Sequence, residues 1–161
     1  MNILEFAIEM ELDGSKYYSE QAEVNKNNML NPVCLMMAED EKNHAKVLTD
    51  KLNNIDFKPW HSSTITNAKK IFEVLEDIKC PIKEIPSQLD YYRIASKLEK
   101  KCITLYTALS SKAVDDKDKE FFDYLILQEI QHFQLLNELG NLLRKIGGRV
   151  LFAEYGVRKE F

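Results

Sequence analysis

Residues 37–48 read MAEDEKNHAKVL, and this stretch places a glutamate and a histidine on the apolar side of a helix. Glu41 and His44 are three residues apart, and residues at positions i and i+3 lie on one helix face. Met37 and Leu48 continue that face at helical spacing, which predicts a buried stripe interrupted by two polar side chains. Burying an unpaired carboxylate costs several kcal/mol or forces it to take up a proton, so this pair needs partners elsewhere in the chain.

A second stretch of the same design begins 88 residues later. Residues 125–136 read LILQEIQHFQLL and carry Glu129 and His132 at the same two positions. When buried polar groups recur with their spacing kept, packing alone is a poor explanation. The repeat therefore predicts that both pairs belong to one site.

Each half of the chain also contains a lone glutamate, 30 residues before the glutamate of its E-x-x-H motif. Glu11 lies in residues 7–18 (AIEMELDGSKYY), and Glu99 lies at the matching position of residues 95–106 (ASKLEKKCITLY). The chain thus reads as two helical hairpins of one design, related by a pseudo-twofold axis.

Capping residues and helix breakers predict where the four long helices begin and end. The expected limits are residues 2–25 for the first, Asn31 with Pro32 as the start of the second, Ser87 with Asp90 as the start of the third, and Asp116 or Asp118 to Gly147–Gly148 for the fourth.

The layout predicts an all-α fold, an antiparallel four-helix bundle with one long crossover. The bundle would span residues 1–146, with the crossover at about residues 53–86 and a short helix from Thr66 to Ile78 inside it. A C-terminal tail, residues 147–161, would pack on the bundle or on a partner subunit.

Composition argues against several classes of protein. A net charge of −4 gives no electrostatic case for nucleic acid or an anionic membrane, and no apolar run is long enough to span a bilayer. Cys34, Cys80 and Cys102 are isolated and form no C-x-x-C pair, which favours a reducing cytoplasm over a disulfide framework.

Charge balance indicates what the buried polar set binds. Four buried carboxylates would repel one another, and no Lys or Arg lies on the four stripes to neutralise them. Two divalent cations would cancel the charge of the four glutamates, while the two imidazoles stay neutral. Carboxylate oxygens with imidazole nitrogens suit iron or manganese and could accept zinc. The predicted ligands are Glu11, Glu41, His44, Glu99, Glu129 and His132.

Other polar residues near these stripes have less certain roles. Tyr18 and Tyr106 lie two turns from the lone glutamates, either as core tyrosines or as hydrogen-bond donors to the ligands. Cys102, one turn after Glu99, is expected to be a small core residue close to the site. Asp40 lies off the stripe of Glu41, and we expect it to be solvated. His61 is expected to be an ordinary loop histidine.

With these motifs in place, residues 3–146 resemble the rubrerythrin branch of the ferritin-like superfamily. The resemblance implies that Glu11 and Glu99 are terminal ligands and that Glu41 and Glu129 bridge the two metals. It also implies that each histidine binds one metal, and the histidine in the fourth helix argues against a storage ferritin.

The sequence departs from the rubrerythrin pattern at two places. It has no pair of C-x-x-C motifs, so a rubredoxin-type domain is expected to be absent and electrons would come from a separate, rubredoxin-type donor. Rubrerythrins also have a second glutamate one turn after the third-helix ligand, and Cys102 stands there.

The function expected from this ligand pattern together with the resemblance is reduction of hydrogen peroxide or oxygen at a di-iron centre in the cytoplasm. The resemblance also implies a homodimer. The alternatives are an iron-handling or sensing protein with incidental ferroxidase activity, a di-manganese catalase-like protein, and an oxygenase. The oxygenase would require an apolar pocket beside the metals.

Overall fold

The computed structural model describes residues 2–77 and 85–155, and all regular structure in them is helical. Four long helices and one short helix follow one another along the chain. They are α1 (Ile3–Val24), α2 (Leu30–Leu52), α3 (Thr64–Asp77), α4 (Ile85–Lys112) and α5 (Asp116–Tyr155). None of them is long and apolar enough to cross a membrane. The predicted end of the short helix at Ile78, together with Cys80 and residues 156–161 of the tail, lies outside the described residues.

Side-chain caps account for the beginnings of α1 and α5. Asn2 accepts a hydrogen bond from the Glu5 backbone N–H at 2.9 Å, and the Glu5 carboxylate accepts one from the Asn2 N–H at 3.1 Å. This reciprocal pair is a capping box. Asp115 accepts from the Lys117 N–H at 2.8 Å, so the predicted start of the fourth long helix at Asp116 is confirmed.

The predicted beginnings of α2 and α4 are wrong by one or two residues. The helix α2 starts at Leu30, whose N–H donates to the Asn28 side chain at 2.9 Å. Asn31 lies inside the first turn and donates its side-chain amide to the Ala22 carbonyl at 2.8 Å, which ties α2 to α1. Similarly, α4 begins at Ile85, so Ser87 is already inside the helix.

The predicted helix end at Gly147–Gly148 is also wrong, because α5 continues through both glycines to Tyr155. A glycine in a helix interior costs about 1 kcal/mol relative to alanine, which weakens a helix without ending it. No proline follows to force a stop. Packing of the tail on the bundle or on a partner stays a prediction.

The long helices form two hairpins, α1 with α2 and α4 with α5, and α3 packs on α2 and α5. Their buried apolar residues form two main clusters. One contains Tyr18, Met37, Tyr91 and Leu136, and the other contains Leu48, Tyr106, Phe122 and Leu125, among others. Along each long helix the polar stripe residues lie between the two clusters, which places the site at mid-bundle.

A close contact between α4 and α5 depends on a glycine. A Cβ atom added at Gly140 would lie 2.7 Å from the ring of Tyr92. The ring cannot move freely, since the Arg144 guanidinium lies over it at 5.2 Å and the Asn137 side chain contacts its hydroxyl. The lack of a side chain at Gly140 therefore allows α4 and α5 to pack closely at this point.

Candidate metal centre

The six predicted ligand residues come together in the middle of the bundle. Each long helix contributes one glutamate, and α2 and α5 each add a histidine one turn later. All six residues are 2 % exposed or less: Glu11, Glu41, His44, Glu99, Glu129 and His132. The structure therefore brings the six predicted residues together in one buried cluster.

The six residues form two overlapping groups that could each hold a metal ion. One group contains Glu11 and His44, the other contains Glu99 and His132, and Glu41 and Glu129 belong to both. Within each group, the donor atoms lie within 4.8 Å of one another. Two groups that share two carboxylates have the arrangement of a dinuclear centre with bridging glutamates.

Both histidines turn the same ring nitrogen toward the carboxylates. The Nδ1 atom of His44 lies 3.0 Å from Glu129 Oε1 and 3.5 Å from Glu11 Oε2. The Nδ1 atom of His132 lies 3.0 Å from Glu41 Oε1 and 3.2 Å from Glu99 Oε1. The two rings are 5.8 Å apart, so each serves its own half of the site.

Most buried polar side-chain atoms without a hydrogen-bond partner in the described part of the chain belong to this cluster. They are Oε2 of Glu11, Oε1 of Glu41, both ring nitrogens of His44, Oε2 of Glu99 and both carboxylate oxygens of Glu129. Native proteins leave few such atoms unpaired, because each costs roughly 1–3 kcal/mol. Atoms with free lone pairs that converge on one another are the donor set that a cation requires.

The charges of the cluster shift its pKa values in opposite directions. Burial and repulsion from Glu11 and Glu99 raise the pKa of Glu41 to about 8. The pKa of Glu129 is raised for the same reasons. Burial alone would raise the pKa of Glu11, but hydrogen bonding to Glu41 and attraction by His44 lower it to about 2.

The pKa values of the remaining three residues of the cluster follow the same pattern. The pKa of Glu99 is lowered, since attraction by His132 and hydrogen bonds outweigh the opposing effect of burial. Burial lowers the pKa of a histidine, yet the neighbouring carboxylates raise the pKa of both His44 and His132 well above the usual value. Without a metal, the site is therefore held near neutrality by protons on the two shared glutamates and both imidazoles.

Two tyrosines donate hydrogen bonds to Glu11 and Glu99, the two glutamates that belong to only one ligand group. The Tyr18 hydroxyl donates to Glu99 Oε1 at 2.6 Å, and the Tyr106 hydroxyl donates to Glu11 Oε1 at 2.5 Å. Each bond crosses from one hairpin to the other. Of the two interpretations open from the sequence, hydrogen bonding to the site residues is the one that the structure shows.

The expectation that Asp40 is solvated is wrong. Its side chain is buried, and its Oδ2 atom lies 2.8 Å from Nε2 of His132. Residues of the crossover cover it, since the Ser62 hydroxyl donates to the same oxygen at 2.9 Å. An Nε2–H group that donates to Asp40 leaves Nδ1 as the ring nitrogen that faces the carboxylates and that would bind a metal ion.

His61 and two of the cysteines, Cys34 and Cys102, lie where the sequence analysis expects them. His61 is exposed in the loop before α3. Cys34 and Cys102 are buried and carry free thiols. Burial, together with the nearby carboxylates, raises the pKa of Cys102. Cys102 is therefore a thiol and not a thiolate, which makes it a poor nucleophile toward an oxidant.

A cavity of about 410 Å³ between α1 and α4 leads from the surface to the site. Its inner wall includes Glu41, Glu99 and Cys102, and the rest of its lining is largely apolar: Phe6, Met10, Tyr17, Ile94 and Leu98. Gly14 also lines the cavity, and a Cβ atom there would make only ordinary contact with Glu41 Oε2, at 3.6 Å. The sequence could not reveal this cavity, because residues of both hairpins form it.

Comparison with known proteins agrees with the geometry. No curated protein and no solved structure matches the chain. The sequence profile of the rubrerythrin family matches residues 2–140, which include all four long helices up to the middle of α5 and all six residues of the cluster. The chain therefore belongs to the rubrerythrin family, and membership of this family implies a dinuclear metal centre.

Proposed function

We propose that this protein is a di-iron oxidoreductase that reduces hydrogen peroxide or oxygen with electrons from a separate carrier. The observation that carries the proposal is the pair of ligand groups sharing Glu41 and Glu129. Among the described residues, no Lys or Arg forms an ion pair with these carboxylates, and histidines are their only ionic partners. Two divalent cations would supply the missing positive charge.

The residues have distinct roles in this proposal. Glu11 with His44 would bind one iron, and Glu99 with His132 would bind the other. Glu41 and Glu129, which lie in both groups, would bridge the two ions. Oxygen and nitrogen donors without thiolates suit iron or manganese, and family membership favours iron.

When bound, the iron pair supplies the two electrons that cleave an O–O bond. The protein would admit the oxidant through the cavity between α1 and α4, which ends at Glu41 and Glu99. Reduction of hydrogen peroxide to two waters also consumes two protons. These protons would enter from solvent through the same cavity, because a carboxylate that bridges the two ions is deprotonated.

The two apolar clusters on either side of the site have a protective role in this proposal. They close the bundle above and below the carboxylates, so the cavity is the route by which small molecules would arrive. The buried thiol of Cys102 borders this route, and its raised pKa disfavours the thiolate that peroxide would oxidise.

Rapid mixing of the anaerobic ferrous protein with hydrogen peroxide tests the proposal. We expect the iron to be oxidised much faster than free ferrous iron in the same buffer. His132→Ala should lose this advantage, while His61→Ala is the matched control, because His61 is exposed and lies outside the ligand groups. Oxidation no faster than that of free ferrous iron would rule the proposal out.

The cavity favours a second candidate function, oxygenation of a small apolar molecule. Its volume falls in the range of roughly 300–1,000 Å³ typical of small-molecule sites, whereas peroxide alone needs far less room. The ferrous protein would be exposed to oxygen with a set of small aromatic and aliphatic hydrocarbons, and products identified by mass spectrometry. Hydroxylated products in the wild type that vanish in His132→Ala would favour this candidate, and their absence would exclude it for the compounds used.

A further inference from the structure

The loop between α2 and α3 contains the only tryptophan in the sequence, Trp60. Its side chain is 40 % exposed. The loop is fixed to α5 by Tyr124, whose hydroxyl donates to the Trp60 carbonyl at 2.9 Å and accepts from the Trp60 N–H at 2.7 Å. An exposed aromatic ring is thus held in a defined position on the surface.

The indole ring is connected to the metal centre through Asp40. The Trp60 Nε1–H donates to Asp40 Oδ1 at 3.4 Å, and Asp40 Oδ2 lies 2.8 Å from His132 Nε2. On the far side of the imidazole, His132 Nδ1 faces Glu41 at 3.0 Å. Three side chains therefore form one hydrogen-bonded chain from the surface to the site.

The other half of the site has no such chain. The Nε2 atom of His44 has no hydrogen-bond partner within the described part of the protein. In the internal repeat, Gln128 stands where Asp40 stands in the first half. The hydrogen-bonded chain from Trp60 to His132 is therefore present in only one half of an otherwise symmetric site. Asp40 alone could orient the His132 imidazole, so this role does not explain the exposed indole.

We propose that Trp60 is the point where electrons enter the protein, delivered by a small one-electron carrier protein that docks on this loop. This inference rests on the proposed function, which requires an external source of electrons. The ring, the Asp40 carboxylate and the His132 imidazole provide a continuous path of bonded contacts, which carries an electron better than the gaps between unconnected side chains.

The electron balance of this transfer is simple. Each reduced carrier is oxidised by one electron, which passes along the chain to the oxidised metal centre. No covalent bond forms or breaks, and the proton between His132 and Asp40 stays in place. Two carriers therefore restore the two electrons that reduction of one peroxide consumes.

The kinetic test separates re-reduction of the centre from its oxidation. Oxidised, iron-loaded protein is mixed with reduced rubredoxin as the probe, and the decay of the ferric absorption is followed. Trp60→Leu is expected to slow this decay roughly tenfold or more, and Trp60→Phe, which keeps a ring but loses the N–H group, to fall between Trp60→Leu and the wild type. Ile55→Ala is the matched control, because Ile55 is 55 % exposed in the same loop and is not part of the hydrogen-bonded path from Trp60 to His132.

Oxidation by peroxide in the same variants serves as the internal reference. Unchanged oxidation with slow re-reduction in Trp60→Leu supports the proposal. Re-reduction at the rate of the Ile55→Ala control would overturn it. A parallel loss of both rates would also overturn it, because Trp60 would then only support the fold of the site.

Docking can be measured without any metal, since the single tryptophan reports on its own surroundings. Oxidised rubredoxin is titrated into metal-free protein while Trp60 emission is followed. The proposal predicts saturable quenching, and quenching that rises linearly without saturation would contradict docking on this loop. If instead the wild type is not oxidised by peroxide, the proposed function fails, while this titration still decides whether a carrier binds at Trp60.

Discussion

Loading the centre with two divalent metal ions at pH 7 is expected to release about four protons. Metal ligands must be deprotonated, and the structure indicates which ones carry protons beforehand. The pKa is raised for Glu41, Glu129, His44 and His132, so each of these groups holds a proton in the metal-free protein. Glu11 needs no proton loss, because its lowered pKa keeps it ionised.

The magnitude comes from charge balance within the buried cluster. In the metal-free protein, two ionised glutamates are balanced by two imidazolium groups, and the two shared glutamates are neutral. In the loaded protein, four ionised glutamates are balanced by two divalent ions. The cluster is neutral in both states. The two ions add four positive charges, so about four protons must leave.

The pH dependence has a defined sign. Because Glu41 binds a proton more tightly when folded than when unfolded, its contribution to the stability of the metal-free protein is present below pH 4.5. That contribution is lost as the pH rises toward about 8. Metal affinity changes in the opposite direction and rises with pH, because fewer protons compete with the metal.

The assay is a titration of anaerobic metal-free protein with Zn²⁺ in weakly buffered solution, with released protons measured by a pH indicator. Repeating it above pH 8 should give a smaller release, since Glu41 is then largely ionised already. Glu41→Gln should release at least one proton fewer, because it removes an ionisable group that belongs to both ligand groups, while Glu39→Gln, at an exposed neighbouring position, should match the wild type. A total release of about one proton or less at pH 7 would refute this description of the cluster.

Three further substitutions have defined expected outcomes. Asp40→Asn should weaken metal binding about 10- to 100-fold, because it removes the carboxylate that orients a ligand imidazole, as measured by competition with a chelator. Tyr18→Phe leaves a charged acceptor without its donor and should weaken metal binding by about 1.5–3 kcal/mol in the same assay. Gly140→Ala should lower the free energy of unfolding by about 1 kcal/mol, because displacing the Tyr92 ring outweighs the helix propensity gained.

Each of these outcomes has a matched control and a contradicting result. Glu39→Gln changes an exposed carboxylate next to Asp40, and equal metal affinity for both variants would argue against the orienting role. Tyr124→Phe removes a hydroxyl that does not contact the ligands, so an effect as large as that of Tyr18→Phe would contradict a specific hydrogen bond. Gly14→Ala meets only ordinary contacts, and a loss of stability there equal to that of Gly140→Ala would mean that the Tyr92 contact is not the cause.

The buried cluster of glutamates and histidines could be predicted from the sequence because its signal is local and repeated. Each E-x-x-H pair lies on one helix face, and the offset of 88 residues links the two halves without knowledge of the fold. Burial of Glu11 and Glu99 could be predicted from helical periodicity in the same way. Each of these inferences used either the spacing of residues within one helix or the comparison of equivalent positions in the two halves of the repeat.

Asp40 could not be placed by the same reasoning, because its role depends on contacts between distant segments. Periodicity puts it about 100° from Glu41 on α2, which suggests solvent. In the fold that face meets His132 of α5 and the crossover at Ser62. The available signal was chemical, since a ligand histidine usually donates its second ring N–H to a carboxylate or carbonyl.

The end of the fourth long helix was mispredicted for a related reason. Glycine, as at Gly147–Gly148, is a frequent helix terminator, yet it ends a helix only where the chain also turns. The helix α5 continues instead through both glycines to Tyr155, so two glycines inside the helix do not end it.

Metal content tests the dinuclear centre most directly. Wild-type protein loaded anaerobically with ferrous iron and freed of loosely bound metal should retain about two iron ions per chain. Glu129→Ala should lose most of this iron, because Glu129 belongs to both ligand groups. Two tightly held ions in Glu129→Ala, or no tightly held iron in the wild type, would contradict the assignment of these six residues as a shared metal site.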